Sequence, residues 1–138
     1  MTISELLENY PYATEAVREW FMSKMMESFK DESVPADFKE FMRKQGVPND
    51  RIVTLVQDNA RIFFDAFDDN GVIINVVCTE NGFTWNVGDV KNVQFYKHRK
   101  DAEQAAVERA FIILDEKLNI LISETKNDEG QDSTAGGE

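Results

Sequence analysis

Four basic residues stand side by side late in the chain, Lys97, His98, Arg99 and Lys100 of "FYKHRKDAE". Their types and place suit anion binding. They precede a segment of strong helix formers that begins at Asp101, and free N–H groups in a first helical turn beside cationic side chains make a site for phosphate or carboxylate. The same cations oppose the helix dipole, and four bases in an acidic chain also balance neighbouring carboxylates. A solvated turn is therefore the preferred reading, and an anion- or nucleotide-binding site at Lys97–Lys100 the alternative.

The run "DAFDDNG", Asp65 to Gly71, poses a second chemical question. A calcium loop of the EF-hand type places glycine sixth, which puts its first ligand at Ala66 and its twelfth at Val77. Neither residue can bind calcium through its side chain. Asp68 and Asn70 alone fall at ligand positions, so the run reads as a tight turn with solvated acids.

Catalytic constellations are not visible. His98 is the single histidine and Cys78 the single cysteine, which excludes a histidine-rich or cysteine-based metal site and any internal disulfide. A Cys78–His98 pair would need an orienting third group; Cys78, inside "VIINVVCT", is expected as a small buried residue. Gly82 and Gly88 are too far apart for a phosphate-cradling loop. The sequence points to no cofactor and to no enzyme.

The elements that hold these residues divide into two halves. Thr2 and Glu5 have capping-box spacing and open a short helix that Pro11 breaks. Thr14 to Lys30 carries Val17, Trp20, Phe21, Met22, Met25, Met26 and Phe29 at helical spacings. A methionine-rich face suits an adaptable partner groove, but burial on two sides within the fold is the preferred expectation. Ser33 to Gln45 reads as a helix capped by Ser33 and stopped by Gly46. Asn49 or Asp50 caps a further short helix with Ile52, Leu55 and Val56 on one face.

After Asn59 the period changes. "RIFFDAF", "VIINVVCT", "FTWNV" and "VQFYK" are strand candidates, with Asn70-Gly71 and Asn81-Gly82 as hairpin signals. In the first candidate, Phe63, Phe64 and Phe67 also suit a helical turn. The last element, Asp101 to about Ser123, is helical. Its residues Val107, Phe111, Leu114, Leu118 and Leu121 have coiled-coil spacing, and Ala106, Ala110, Ile113 and Ile120 form a second flank. One stripe can pack on the sheet while the other meets a second copy, or the chain's own sheet and helices can cover both. The expected class is α+β: N-terminal helices, an antiparallel meander of three to four strands, and a long C-terminal helix packed on the sheet.

Length and charge set the remaining bounds. The 138 residues suit one domain, expected at 1–123. Residues 124–138 have five acids, one lysine and no apolar cluster, the composition of a disordered tail. A net charge of −11 argues against direct binding of nucleic acid or an anionic membrane, both of which it repels. It leaves a basic protein partner or nucleic-acid mimicry open. No apolar run reaches membrane-spanning length and no signal peptide is visible, so the expected location is cytoplasmic.

The closing arrangement, "GFTWNV" followed by "FYKHRKDAEQAAVERAFIILDEKL" over residues 82–118, resembles the C-terminal half of small uncharacterised proteins of phages and mobile elements of gut bacteria. The resemblance implies no activity. It implies a setting in which short acidic proteins act by binding host or phage components. The expected function is accordingly a non-catalytic interaction module, an accessory or inhibitor protein meeting a basic partner through its acidic surface. One alternative is a small acidic chaperone that resembles type III secretion chaperones, implying a homodimer with exposed apolar grooves. The other is the anion site at Lys97–Lys100. The residues expected to carry function are that basic turn and the stripe from Val107 to Leu121.

Overall fold

Thr2 caps the first helix as its spacing predicts: its Oγ1 accepts from the Glu5 backbone N–H at 3.1 Å. Helix α1, Ile3–Asn9, buries Ile3, Leu6 and Leu7. Pro11 ends α1 and begins α2, Pro11–Ser28, at once, because a proline at the first helical position loses no hydrogen bond. In this computed structural model the backbone is described for residues 1–136 and side chains through residue 125.

Helix α3 spans Ala36–Gln45 and α4 spans Asn49–Asn59. Ser33 is not the cap of α3; Pro35 holds that place, and the Ser33 N–H bonds the Asp31 carboxylate at 2.9 Å. The helix ends at Gly46 as expected. Likewise Pro48 precedes α4, so Asn49 and Asp50 lie inside it rather than capping it.

Residues 61–67, for which the sequence leaves strand and helix both open, are helical: a 3-10 turn over Ala60–Phe63 runs into α5, Phe64–Asp69. Strand alternation would place Asp65 on the same face as Phe63 and Phe67. Helical spacing instead gathers Ala60, Phe63 and Phe67 into the core and leaves Asp65 exposed. Phe63 and Phe67 each pack against Phe111, with the Phe67–Phe111 rings edge to face at 5.0 Å.

Strands β1 (Ile74–Thr79), β2 (Gly82–Val87) and β3 (Val90–Lys91) form an antiparallel meander in sequence order. The β1–β2 connection is not Asn81-Gly82. Thr79 pairs with Gly82, so Glu80 and Asn81 make the turn. Gly82 has φ +122°, and a Cβ there would lie 2.7 Å from the Tyr96 carbonyl oxygen. The fourth candidate, "VQFYK", contributes one bridge, Phe83↔Tyr96. Between Lys91 and Tyr96 the chain takes five steps while β2 takes three from Asn86 to Phe83. This bulge is closed by side chains: Thr84 Oγ1 and Asn92 Nδ2 both donate to the Gln94 carbonyl at 2.9 Å.

Helix α6, Arg99–Gly136, packs on the sheet and on α2. Ala102, Ala106, Val107, Ala110, Phe111 and Leu114 are fully buried, so the chain's own elements cover both flanks over this stretch. The fold is α+β as expected, with three strands, within the expected three to four. The segment read from composition as an acidic tail, 124–138, is helical in backbone through Gly136; residues 137–138 lie outside the described residues. No described helix is long and apolar enough to cross a membrane.

Candidate functional site

The basic turn is placed at the start of α6. Lys97, His98, Arg99 and Lys100 are all exposed. The helix begins at Arg99, and Asp101 lies in its first turn, with its N–H bonded to the His98 carbonyl at 3.2 Å. No salt bridge involves these four among the described residues.

The run Asp65–Gly71 ends a helix rather than turning a hairpin. The Val72 N–H bonds the Phe67 carbonyl at 2.8 Å and the Gly71 N–H bonds Asp68 at 2.9 Å, with Gly71 at φ +82°. This is the paired bonding of a Schellman cap, complete with buried apolar partners Phe67 and Val72. Asp69 is engaged too: its Oδ2 accepts from the Trp20 indole at 2.7 Å, tying α5 to α2. Cys78, expected to be buried, is exposed on β1, since the burial of that strand falls away after Val76. No group of three metal-ligating side chains occurs among the described residues.

The stripe on α6 divides. Val107, Phe111 and Leu114 are core residues, Leu118 is half-buried, and Leu121 is 50% exposed. Its first three members therefore serve the packing of this chain. Ile120, on the second flank, is 58% exposed.

A larger opening lies at the other end of α2. The N-terminal half of that helix buries Ala13, Thr14 and Val17, whereas Phe21, Met22, Met25, Met26 and Phe29 remain half-buried, so the expected two-sided burial stops midway. Helix α3 buries no residue. Its apolar face is at helical spacing, yet Phe38 is 48% and Phe41 57% exposed. Between α2, α3 and α4 lies a groove of about 580 Å³. Phe21 and Met25 form one wall, Phe41 and Met42 the other, and Val47, Pro48 and Leu55 the floor, with Arg51 at its margin. Arg18 fixes the floor: its Nε donates to the Val47 carbonyl at 2.8 Å and its guanidinium bonds Asn49.

Across α3 a second depression of about 540 Å³ is lined by Met26 and Phe29 with Lys30, Lys39 and Arg43, against one acid, Glu27. Residues 18–51 contain seven Lys or Arg and seven Asp or Glu, a net charge of zero. The whole −11 of the chain thus lies outside this segment. The Asp31 carboxyl, in the turn that leads to α3, is held below its ordinary value by hydrogen bonds from the Ser33 N–H and hydroxyl.

The sequence places its candidate site residues elsewhere, at Lys97–Lys100 and on the Val107–Leu121 stripe, and marks two walls of this groove only as apolar helix faces. The methionines of α2 and the apolar spacing Phe38, Phe41, Met42 were signals of surplus apolar surface. The contribution of Val47, Arg51 and Leu55 had no local signal, since it depends on how α4 returns against α2. No family model matches the chain, and neither a curated protein nor a solved structure matches it.

Proposed function

We propose that the protein is a non-catalytic interaction module that seats an amphipathic helix of a protein partner in the α2–α3–α4 groove. The observation that carries this reading is the pairing of large exposed apolar side chains, Phe41 foremost, with Arg51 at the groove's margin, in a segment without net charge in an acidic chain. An apolar helical face inserted between facing walls is a common recognition mode, and methionines adapt to varied ligand shapes. Arg51, the one charged residue that lines the groove, favours an acidic residue flanking that face. At physiological salt, charges beyond about 8 Å are screened, so the groove, set in a segment of zero net charge, is shielded from the chain's distant negative charge. The acidic surface then disfavours nucleic acid and other indiscriminate ligands.

The test compares two synthetic helical peptides with leucines at positions one, four, five and eight, flanked by glutamates in one and lysines in the other. Backbone amide shifts of the labelled protein are followed during titration. Shifts centred on Met25, Phe41 and Leu55, with tighter binding of the glutamate peptide and a preference that shrinks in salt, are the expected result. No shifts there, or preference for the lysine peptide, would overturn the reading.

A further inference from the structure

We propose that the free edge of β1 is a self-association surface, on which β1 of a second copy of this chain adds antiparallel and joins the two sheets into one. The β1–β2 register assigns the backbone groups. The Gly88 N–H bonds the Ile73 carbonyl at 2.9 Å, so Ile73, Asn75, Val77 and Thr79 turn their N–H and carbonyl groups toward β2, while Ile74, Val76 and Cys78 turn theirs the other way. On that side β1 ends the sheet, and among the described residues no backbone hydrogen bond reaches those outward groups. A bare edge is a template for another strand, and folds blunt it with charge, proline or a bulge. The opposite edge of this sheet is blunted in that way, by Lys91 and the bulge that follows it. The edge at β1 is not: residues 71–79, "GVIINVVCT", hold no charge and no proline, and β1 pairs in unbroken register from Ile74 to Thr79.

The side chains along this edge fit a second copy of the same strand. On the face turned from the core, Ile73 is 55% and Val77 41% exposed, with Asn75 exposed between them. The pattern apolar, polar, apolar reads the same in both directions, which is what a twofold contact requires. With the dyad at Asn75, Ile73 stands opposite the partner's Val77, Asn75 opposite its own copy, and on the core face Ile74 opposite the partner's Val76. Each apolar side chain then meets an apolar one, the two amides meet each other, and the outward groups of Ile74 and Val76 exchange hydrogen bonds. A dyad at Val76 would instead set Val77 against Asn75 and Ile73 against Thr79. The uncharged strip is bounded by Asp69 and Glu80, so the association of two acidic chains strengthens as salt screens them. None of the residues that line the α2–α3–α4 groove takes part, and the two surfaces stand or fall separately.

The test uses the full chain carrying Cys78→Ser to remove the exposed thiol, with sedimentation equilibrium at low and at moderate salt and Asn75→Cys as a probe of register. The dyad sets the two copies of residue 75 at a non-hydrogen-bonded pair, about 4.5 Å apart at Cα, within the reach of a disulfide. The two copies of residue 77 lie four positions out of register, on the order of 13 Å apart along the strands. The expected result is a dimer that tightens with salt, a disulfide-linked dimer on oxidation of Asn75→Cys, and none from Val77→Cys alone. Asn75→Lys places like charges opposite each other at the dyad and should weaken association at least about tenfold, although it makes the chain less acidic. Asn75 is exposed, and unchanged circular dichroism verifies that this variant stays folded. A chain that remains monomeric at about 100 μM in either salt overturns the proposal. So does a dimer that Asn75→Lys leaves intact, or one that Val77→Cys links as readily as Asn75→Cys.

Discussion

Asp115 of α6 caps the distant helix α2: its carboxylate accepts from the Tyr12 N–H, 103 residues earlier, at 2.8 Å and, with the same oxygen, from the Ala13 N–H at 3.1 Å. These are the donors that α2 leaves open. Pro11 has no N–H, Thr14 already bonds the Tyr10 carbonyl, and Tyr10 offers no side-chain cap. A carboxylate there also complements the helix dipole. Asp115→Ala should cost about 1–2 kcal/mol, the range for losing a good cap, and Asp115→Asn distinctly less because it keeps an oxygen acceptor. Urea unfolding of the two variants measures the difference. Equal losses would mean that the bonds to Tyr12 and Ala13 do not stabilise α2.

Gly71 and Gly82 both adopt positive φ, but their surroundings differ. At Gly71 a Cβ would approach the Lys117 Nζ at 2.6 Å, the far end of a flexible side chain that can move aside. At Gly82 it would approach the Tyr96 carbonyl oxygen at 2.7 Å, held by the bridge to Phe83. Gly71→Ala should therefore cost about 1–2 kcal/mol, the usual penalty for a left-handed residue. Gly82→Ala should cost more and should weaken amide protection at Phe83 and Tyr96. Hydrogen exchange reads this directly, and an unchanged pattern would contradict the packing at the bridge.

The core and the groove should separate in stability measurements. Phe67 is fully buried against Phe111, so Phe67→Ala should cost about 3–5 kcal/mol, as large-to-small core changes do. Phe41 is more than half exposed on a helix that buries nothing. Phe41→Glu should change stability by less than about 0.5 kcal/mol in the isolated chain while abolishing peptide binding in the groove. Thermal unfolding beside the amide titration tests both halves, and a large loss of stability would show that Phe41 belongs to the core.

Local patterns predict the helices that local forces define. Thr2 and Glu5 mark the start of α1, Gly46 the stop of α3, and the run from Asp101 to about Ser123 the body of α6. What misleads is glycine after asparagine. Asn70-Gly71 suits a hairpin in isolation, but Phe67 and Val72 find a common core and turn the pair into a helix cap. Cys78 misleads for a related reason, because a β-branched neighbourhood predicts burial on both faces while α6 covers only the start of β1. The groove was legible as apolar surplus in α2 and α3 but not as a site. Its shape comes from Arg18 holding the loop at Val47 against α2, a contact across 29 residues that no periodicity encodes.

Glu108 gives the fold a pH dependence of definite sign. It is half-buried on α6, and desolvation raises its carboxyl above the ordinary glutamate value. The folded state then binds its proton more tightly than the unfolded state. Stability from this group is present below the ordinary value and is lost as pH rises through the raised one. At neutral pH the charge is carried at a cost that burial imposes. Glu108→Gln removes the charge while keeping the shape, so it should raise the melting temperature at pH 7 and flatten the fall in stability as pH rises above the ordinary glutamate value. Melting curves across that range compare the two chains. A variant less stable than the parent at pH 7, with the same slope, would mean that the carboxylate is stabilised where it stands rather than strained by burial.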